Sequence, residues 1–381
     1  MKNFKKTHAE FRIRTMSLTA IIIGSVAIAA FATMMLTIDD DSAFENWAKQ
    51  GNIDYQFDFE KRGNDRIAVA SRDIKAGDYV LTVPRDRYFT SGDALISGMA
   101  LNGLSVEDQS QLSHLASTVL SAGKREELVL ASILLYHKRN NNSMWTPYLN
   151  ILPASVSGLP RNMNGQALEI LRDTLTFNAY TARLNDLKRE YSYVSMFFEF
   201  ELEDYLTARE TVDSRCFYLQ QLGEPYKLAM VPVADFPNHE NDKCSLSNQV
   251  DAQGTLYGVS QCSFKKGDII SNFYGQWGNR DLLGQYGFAV KKNPFDYNTI
   301  VLPDKSRCKV YREPRKGIQE CLQALSPFYN EPQARAFVKE YALMKLQNLK
   351  HKQDMRESDD AGVQSAIQAV RSESEVWALS I

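Results

Sequence analysis

The sequence has few cysteines, and their spacing is not typical of a metal site. The cysteines stand at positions 216, 244, 262, 308 and 321, and no two of them form a Cys-x-x-Cys pair. Structural zinc sites use such pairs, or clusters of cysteine and histidine at short spacing. A small secreted scaffold held by disulfides would be shorter and richer in cysteine. We therefore predict no metal site and mostly free, buried thiols, although an oxidising compartment could pair some of them.

The sequence also lacks a strong excess of charge of one sign. It contains 44 Lys and Arg residues against 46 Asp and Glu residues, a formal net charge of −2. Proteins that bind nucleic acid mainly through its phosphates have basic surfaces, so we predict no nucleic-acid partner. Hydrophobic residues make up 44% of the chain and aromatic residues 11%. This composition excludes a disordered or collagen-like chain and is sufficient for a folded core.

One long run without charge lies near the N-terminus, at residues 16–38. As a helix, its 23 residues would span ~35 Å, enough to cross a hydrocarbon layer of ~30 Å. Residues 1–15 are basic and Asp39 to Asp41 follow the run, so the positive-inside rule would place the body on the non-cytoplasmic side if the secretory route is used. An inverted anchor, with the body in the cytosol, stays open. We predict a single-pass membrane anchor.

Two other interpretations of this segment remain open. Ala30-Phe31-Ala32 is a small-x-small sequence that would suit the cleavage site of a secretory signal peptide. The basic residues 1–15 contain a single acidic residue, which would also suit an organelle presequence. In either case, cleavage would release the body from this segment.

The rest of the chain alternates between strand and helix patterns. We expect a helix capped by Ser42, strands at 67–70 and 79–83 around a turn at 75–78, and helices over most of 93–210. One long helix is expected from 168 to 209, followed by strands at 227–234 and 255–260. Downstream we expect a turn at 264–268, a short helix at 280–286, irregular structure at 292–310, a helix at 332–352 and a polar tail from 356.

Two segments carry side chains that could do chemistry. In the first, the strand predicted at 227–234 ends, a proline at 237 follows, and Asn238 and His239 come directly after it. In the second, Tyr274 follows a strand, and Tyr286 lies in the short helix after it. Taken singly, each has a plain structural explanation, since asparagine often begins turns and tyrosine often lies in cores.

The order of these motifs resembles that of the SET-domain methyltransferases. Within this family the sequence looks like the branch typified by plant Rubisco large-subunit lysine methyltransferase. The motifs that carry the resemblance are Arg215-Cys216-Phe217, Asp235 to His239, Phe273-Tyr274-Gly275 and Tyr286-Gly287-Phe288. Residues 44–51, 67–84 and 128–153 are also similar to that branch. The resemblance depends on the order of several motifs rather than on any one.

The resemblance implies an α+β fold of small curved β-sheets with a knot-like site. It implies a SET domain over residues 43–291, with a helical insertion at about 93–210 and a short helical C-terminal region at 292–381. The basic residues 1–15 and an N-terminal hydrophobic helix at 16–38 would precede this domain.

The resemblance also implies an activity, the transfer of a methyl group from S-adenosylmethionine to a lysine side chain of a protein substrate, by a monomer. By resemblance, Tyr274 is the catalytic residue. The residues implied to bind the cofactor are Arg215, Asn238 and His239, with Asp65 and Arg66 at the turn where the family has Gly-x-Gly. Asp235 and Tyr286 are implied to bind the substrate.

Two alternatives to lysine methylation remain open. One relative in this branch methylates a histidine of actin, and a neutral imidazole needs little deprotonation before it reacts. The other alternative is a non-catalytic, membrane-anchored adaptor with a SET fold. It is favoured by Arg66 and Ile67, which stand where the family has small residues that let the backbone approach the cofactor.

Overall fold

The structure is a computed structural model that describes most of the chain beyond residue 39. The described residues are 40–62, 65–95, 101–121, 126–140, 142–219, 227–241, 244–313, 316–349, 352 and 358–381. The predicted basic segment and membrane segment, residues 1–38, lie outside them. No helix within the described ranges is both long enough and apolar enough to span a membrane.

The N-terminal half of the described chain holds five short strands and most of the helices. The strands are β1 (Asp54–Tyr55), β2 (Phe57–Arg62), β3 (Asp65–Ala70), β4 (Tyr79–Val83) and β5 (Phe89–Thr90). The helices are α1 (Asp40–Gln50), α2 (Val106–Ser121), α3 (Glu126–Arg139), α4 (Thr146–Ile151), α5 (Gly165–Leu171), α6 (Leu175–Val194) and α7 (Leu202–Arg215). Short 3₁₀ turns lie at Arg85–Arg87, Ser91–Leu95 and Pro160–Asn162.

The C-terminal half contains the remaining strands and four helices. The strands are β6 (Phe217–Leu219), β7 (Lys227–Met230), β8 (Asn238–His239), β9 (Leu246–Val250), β10 (Leu256–Ser260), β11 (Ile269–Asn272), β12 (Tyr297–Val301) and β13 (Arg307–Tyr311). The helices are α8 (Asn279–Tyr286), α9 (Gln319–Leu325), α10 (Glu331–Leu349) and α11 (Ala361–Ala378).

The strands form small sheets in which one pairing is parallel. The sheet orders are β1-β4-β10-β9, β2-β3-β11-β8, β5-β7-β6 and β12-β13. Pairs within them are antiparallel except β8 with β11, where Asn238 lies opposite Ser271 and His239 opposite Asn272. This pairing places the two predicted motif segments side by side, because Tyr274 follows two residues after the end of β11.

Two similar turns orient the strands of this region. At 75–78 and at 265–268, the first backbone N–H donates to the carboxylate of the fourth residue, Asp78 or Asp268. The third residue of each turn is a glycine with φ near +90°, Gly77 and Gly267, a conformation that side chains disfavour. Both predicted turns are therefore confirmed.

The described residues form two hydrophobic cores. The first contains residues of α1, α2, α3, α4, α7 and most strands, and it includes Phe44, Trp145 and Phe236. The second contains residues of α5, α8, the β12–β13 hairpin, α9, α10 and α11, and it includes Leu283 and Trp377. The first motif segment therefore packs into the first core through Phe236, and the helix that carries Tyr286 packs into the second through Leu283.

Several local predictions were wrong. The long helix expected at 168–209 is three helices, because Asp173 adopts φ of 65° after α5 and an irregular stretch separates α6 from α7. Ser42 lies in the first turn of α1, not at its cap. Residues 292–310 contain the β12–β13 hairpin, whose strands bury alternate residues. The tail predicted as polar contains α11, whose small and polar side chains pack against the hairpin and α5.

The prediction of mostly free thiols was also wrong. Disulfides join Cys244 to Cys262 and Cys308 to Cys321, with Cα atoms 5.5 Å and 5.1 Å apart. Cys216 is the free cysteine. Cys308 lies on β13 and Cys321 on α9, so the packing of a helix on a hairpin brings them together, which spacing along the chain does not reveal.

Candidate active site

A cavity of about 730 Å³ lies between the two cores. Its walls come from β2 and β3, the loop at 153–158, the end of α7, the two motif segments and the start of α11. The predicted site residues that line it are Arg66, Arg215, Asp235, Asn238, His239, Tyr274 and Tyr286. Asp65 precedes Arg66 on β3, and its side chain lies outside the described part of the chain.

A buried carboxylate, Asp235, lies at one end of this cavity. Its Oδ2 atom accepts hydrogen bonds from Arg215 Nη1 and from the Tyr148 hydroxyl, each over 3.0 Å. Its Oδ1 atom is buried and has no hydrogen-bond partner among the described residues. Burial raises the pKa of Asp235, against the lowering effect of Arg215. A buried oxygen without a partner is unfavourable, and Oδ1 retains the capacity to accept one more hydrogen bond.

Tyr148 contributes to this site, and the sequence analysis did not identify it. It lies on α4, and its hydroxyl donates to Asp235 from 87 positions earlier in the chain. Residues 128–153 carried part of the family resemblance, but the resemblance implied no role for Tyr148. A fully buried tyrosine needs a hydrogen-bond partner for its hydroxyl. Only the tertiary structure shows that Tyr148 is buried and that Asp235 is this partner.

Tyr274 is held at two points. Its hydroxyl donates to the carbonyl oxygen of Pro237 over 3.0 Å, and its backbone N–H donates to His239 Nδ1 over 3.2 Å. Its ring centroid lies 4.9 Å from that of Tyr286. Burial raises the pKa of Tyr274 to about 12. Tyr274 is therefore a neutral phenol near pH 7, fixed in orientation and unsuited to act as a strong base.

His239 is a neutral, enclosed imidazole. Its Nε2 atom lies 2.9 Å from Asn241 Oδ1, and its ring lies against Phe273 and Phe288. Burial lowers the pKa of His239, although Asn241 and Glu240 oppose this effect. The adjacent Asn238 side chain donates to the backbone oxygen of Arg66 over 3.3 Å, which ties β8 to the predicted cofactor turn.

Arg66, which the family resemblance assigned to a turn of small residues, lies on β3 opposite Lys61 of β2. Its guanidinium donates to Ile151 O over 2.9 Å and forms an ion pair with Asp41 of α1. Lys61, which also lines the cavity, pairs with Asp41 over 3.3 Å. The bulky side chain is therefore held by partners at the cavity rim, and the cavity persists beside it. Asp41 is a second contributor that the sequence analysis missed.

The described residues also allow a check for metal sites. Among them, no group of three or more His, Cys, Asp or Glu side chains is placed to hold a metal ion.

Comparison with known proteins finds relatives by sequence. No protein-family model matches the chain. Actin-histidine N-methyltransferases of Gallus gallus and Mus musculus are 26% identical to it over 256 residues. The enzyme of Xenopus tropicalis is 25% identical over the same length. Each alignment covers 64% of this chain but 41% of the relative, so the chain matches about two fifths of the relatives' length.

Solved structures match over nearly the whole chain. The SET domain of LSMT bound to lysine and AdoHcy matches with a TM-score of 0.69 and 14% identity, covering 90% of each chain. Rubisco LSMT bound to AdoMet matches with a TM-score of 0.70 and 15% identity, covering 89% of this chain and 90% of that one. The chain therefore has the SET-domain fold, and the predicted resemblance is confirmed.

Proposed function

We propose that this protein is an S-adenosylmethionine-dependent protein N-methyltransferase. The observation that carries the proposal is the convergence of Arg215, Asp235, His239, Tyr274 and Tyr286 on one cavity. These residues come from separate parts of the chain, and the SET-domain fold brings them together. The solved structures with this fold contain AdoMet or AdoHcy, which supports the predicted cofactor.

The cavity has the size that such a cofactor requires. Its volume of about 730 Å³ lies within the range of small-molecule sites. The described residues of its lining include three cationic side chains, and each has an ion-pair partner: Asp41 for Lys61 and Arg66, and Asp235 for Arg215. Asn238 and His239 on β8 and the backbone of Arg66 would hold the cofactor.

The residues of the chain can position the acceptor nitrogen. When bound, S-adenosylmethionine supplies a methyl group on a cationic sulfur. The Tyr274 hydroxyl donates a hydrogen bond to Pro237 O, so its oxygen keeps lone pairs that can accept an N–H of the acceptor. Asp235 Oδ1 can accept a second N–H of the acceptor. Tyr274 and Tyr286 form an aromatic wall, and orientation in such a water-poor site lowers the barrier to displacement.

Histidine is the acceptor that the curated relatives favour. An imidazole is largely neutral at pH 7, with an ordinary pKa near 6.5, so it presents a lone pair without losing a proton. Its other ring N–H would have Asp235 Oδ1 as an acceptor. The predicted lysine acceptor becomes the second candidate. It is favoured by the buried carboxylate of Asp235, which attracts an ammonium group, and by the lysine in a solved structure of the same fold.

A labelling experiment tests this function. The full chain is incubated with deuterated S-adenosylmethionine and protein extracts, and digests are searched by mass spectrometry for labelled methylhistidine and methyllysine. Label on histidine supports the first candidate and label on lysine the second. If a folded chain neither labels any protein nor binds S-adenosylhomocysteine in calorimetry, the methyltransferase proposal is wrong and the adaptor alternative replaces it.

The membrane anchor and the monomeric state that the sequence predicts are also proposals. We propose that a monomer is anchored in a membrane by residues 16–38, with the body on the non-cytoplasmic side. The disulfides Cys244–Cys262 and Cys308–Cys321 support that orientation, because disulfides persist in oxidising compartments. Thiol alkylation of intact cells before lysis tests it. Reactive thiols at these four cysteines would contradict the proposed side of the membrane.

A further inference from the structure

A row of hydrogen-bonded side chains, half-buried at its start and buried at its end, begins at the backbone of Tyr274. The Tyr274 N–H donates to His239 Nδ1, and His239 Nε2 lies 2.9 Å from Asn241 Oδ1. Asn241 Nδ2 in turn donates to Asn293 Oδ1 over 3.4 Å. Asn241 and Asn293 were not among the site residues predicted from the sequence.

The row continues to a carboxylate. Asn293 Nδ2 donates to Asn279 Oδ1 over 3.3 Å, and Asn279 Nδ2 donates to Asp296 Oδ2 over 3.4 Å. Asn293, Asn279 and Asp296 are 0%, 2% and 4% exposed. The three asparagine NH₂ groups of the row therefore all donate in the direction of the buried carboxylate, and such bonds strengthen one another.

Backbone groups fix the orientation of two of these amides. Asn293 Nδ2 donates to Trp277 O over 2.8 Å, and Asn293 Oδ1 accepts from Phe295 N–H over 3.0 Å. Asn279 is held in the same manner by the N–H and the carbonyl of Val290, each over 2.8 Å. A carbonyl only accepts and an N–H only donates, so neither amide can be reversed without losing both bonds.

This orientation determines the tautomer of His239. Asn293 presents an oxygen to Asn241, so Asn241 must present its NH₂ group there and its oxygen to His239. His239 must then donate through Nε2, which leaves Nδ1 unprotonated. A lone pair at Nδ1 is what the Tyr274 N–H requires.

We infer that Asn241 and Asn293 are positioning residues that hold His239 as its neutral Nε2–H tautomer and thereby fix Tyr274. The inference rests on the proposed function, in which Tyr274 orients the acceptor. Tyr274 is then fixed at its backbone by His239 and at its hydroxyl by Pro237. Neither asparagine lines the cavity itself, so both act through His239, which does.

Nitrogen NMR on the full chain tests the tautomer directly. The chain has five histidines, so a ¹⁵N-histidine spectrum is simple, and His239→Gln identifies the His239 signals. We expect a protonated Nε2 and an unprotonated Nδ1 in the wild type. Asn241→Leu should give a mixture of tautomers and a shifted Tyr274 amide signal. Asn185→Leu, a change at an exposed position of α6, should alter neither.

A second variant covers the case in which Asn241→Leu does not fold. Asn241→Asp places a carboxylate beside Nε2 and removes the donor to Asn293, so it should favour the imidazolium. An imidazolium cannot accept the Tyr274 N–H. The affinity of Asn241→Asp for S-adenosylhomocysteine should therefore fall by about tenfold between pH 8 and pH 6, more than that of the wild type.

The outcomes separate this inference from the proposed function. A wild-type His239 in mixed tautomers overturns the inference, as does an Asn241→Leu chain that keeps a single tautomer, whether or not S-adenosylhomocysteine binds. A fixed Nε2–H tautomer that is lost in Asn241→Leu, in a chain that does not bind S-adenosylhomocysteine, supports the assignment to His239 and contradicts the methyltransferase proposal alone.

Discussion

Gly158 and Gly287 meet backbone to backbone at the edge of the cavity. A Cβ atom on Gly158 would lie 1.7 Å from the carbonyl oxygen of Gly287, and Gly287 itself has φ of 79° where it ends α8. The contact presses the loop at 153–158 against the segment that carries Tyr286 and Phe288. Two glycines far apart in sequence thus set one wall of the site.

Alanine at position 158 should destabilise the protein and weaken cofactor binding. The new methyl group cannot fit without moving the backbone at Gly287, and such overpacking costs about 1–3 kcal/mol. The matched control is Gly284→Ala in α8, where a Cβ meets nothing within 4 Å. There alanine should raise the free energy of unfolding by as much as about 1 kcal/mol. Chemical denaturation measures both, and an unchanged free energy of unfolding for Gly158→Ala would contradict the packing.

Removal of the Tyr274 hydroxyl should abolish most activity and leave the fold intact. Tyr274→Phe loses the bond to Pro237 O and the oxygen that orients the acceptor. We expect a fall in kcat of about 100-fold, within the usual effect of one positioned polar group, with binding of S-adenosylhomocysteine nearly unchanged. The exposed Tyr79→Phe is the control. A Tyr274→Phe enzyme with normal kcat would exclude the proposed role.

Tyr148→Phe should shift the pH dependence of the reaction. The Tyr148 hydroxyl bond lowers the pKa of Asp235, against the larger effect of burial, so its loss should raise that pKa further. Asp235 would then need a higher pH to ionise, and the acid limb of the pH–rate profile should move to higher pH. The free energy of unfolding should fall by about 1–2 kcal/mol, the cost of one lost buried hydrogen bond. An acid limb that stays in place would show that Asp235 does not control it.

Glu373 should make the protein less stable as the pH rises through neutrality. Burial raises the pKa of Glu373 to about 7, above its value in the unfolded chain. The folded state therefore binds more protons between these two values, and this contribution to stability is lost as the pH passes about 7. Glu373→Gln should reduce the fall in Tm between pH 6 and pH 8, whereas Glu169→Gln, at an exposed position, should not. Equal slopes in the wild type and Glu373→Gln would refute the prediction.

Loss of the disulfide between Cys308 and Cys321 should weaken the C-terminal core. The bridge spans 13 positions, and a loop of this length contributes about 3 kcal/mol by restricting the unfolded chain. The double change to serine should lower the free energy of unfolding by about that amount, and reduction of the wild type should act in the same direction. Cys216→Ser is the control, since Cys216 forms no bridge. Stability that does not respond to either treatment would contradict the bridge.

Short-range patterns in the sequence were sufficient to predict much of the site. The motif ending in Asn238 and His239, the strand before Tyr274 and the helix that carries Tyr286 were all predicted, because strand alternation and turn residues act over a few positions. The order of these motifs was also sufficient for the fold, which the solved structures confirm. Arg66 was named as a candidate site residue, but its ion pair with Asp41 was not predicted.

The remaining features depend on contacts between residues that lie far apart in the chain. Tyr148 meets Asp235, Gly158 meets Gly287 and Asn241 meets Asn293 only when the helical insertion and the C-terminal core close around the motif segments. The sequence by itself determined which chemical groups are present and which short segments carry them. The tertiary structure decided their partners, because burial makes each polar atom find a donor or acceptor wherever packing places one.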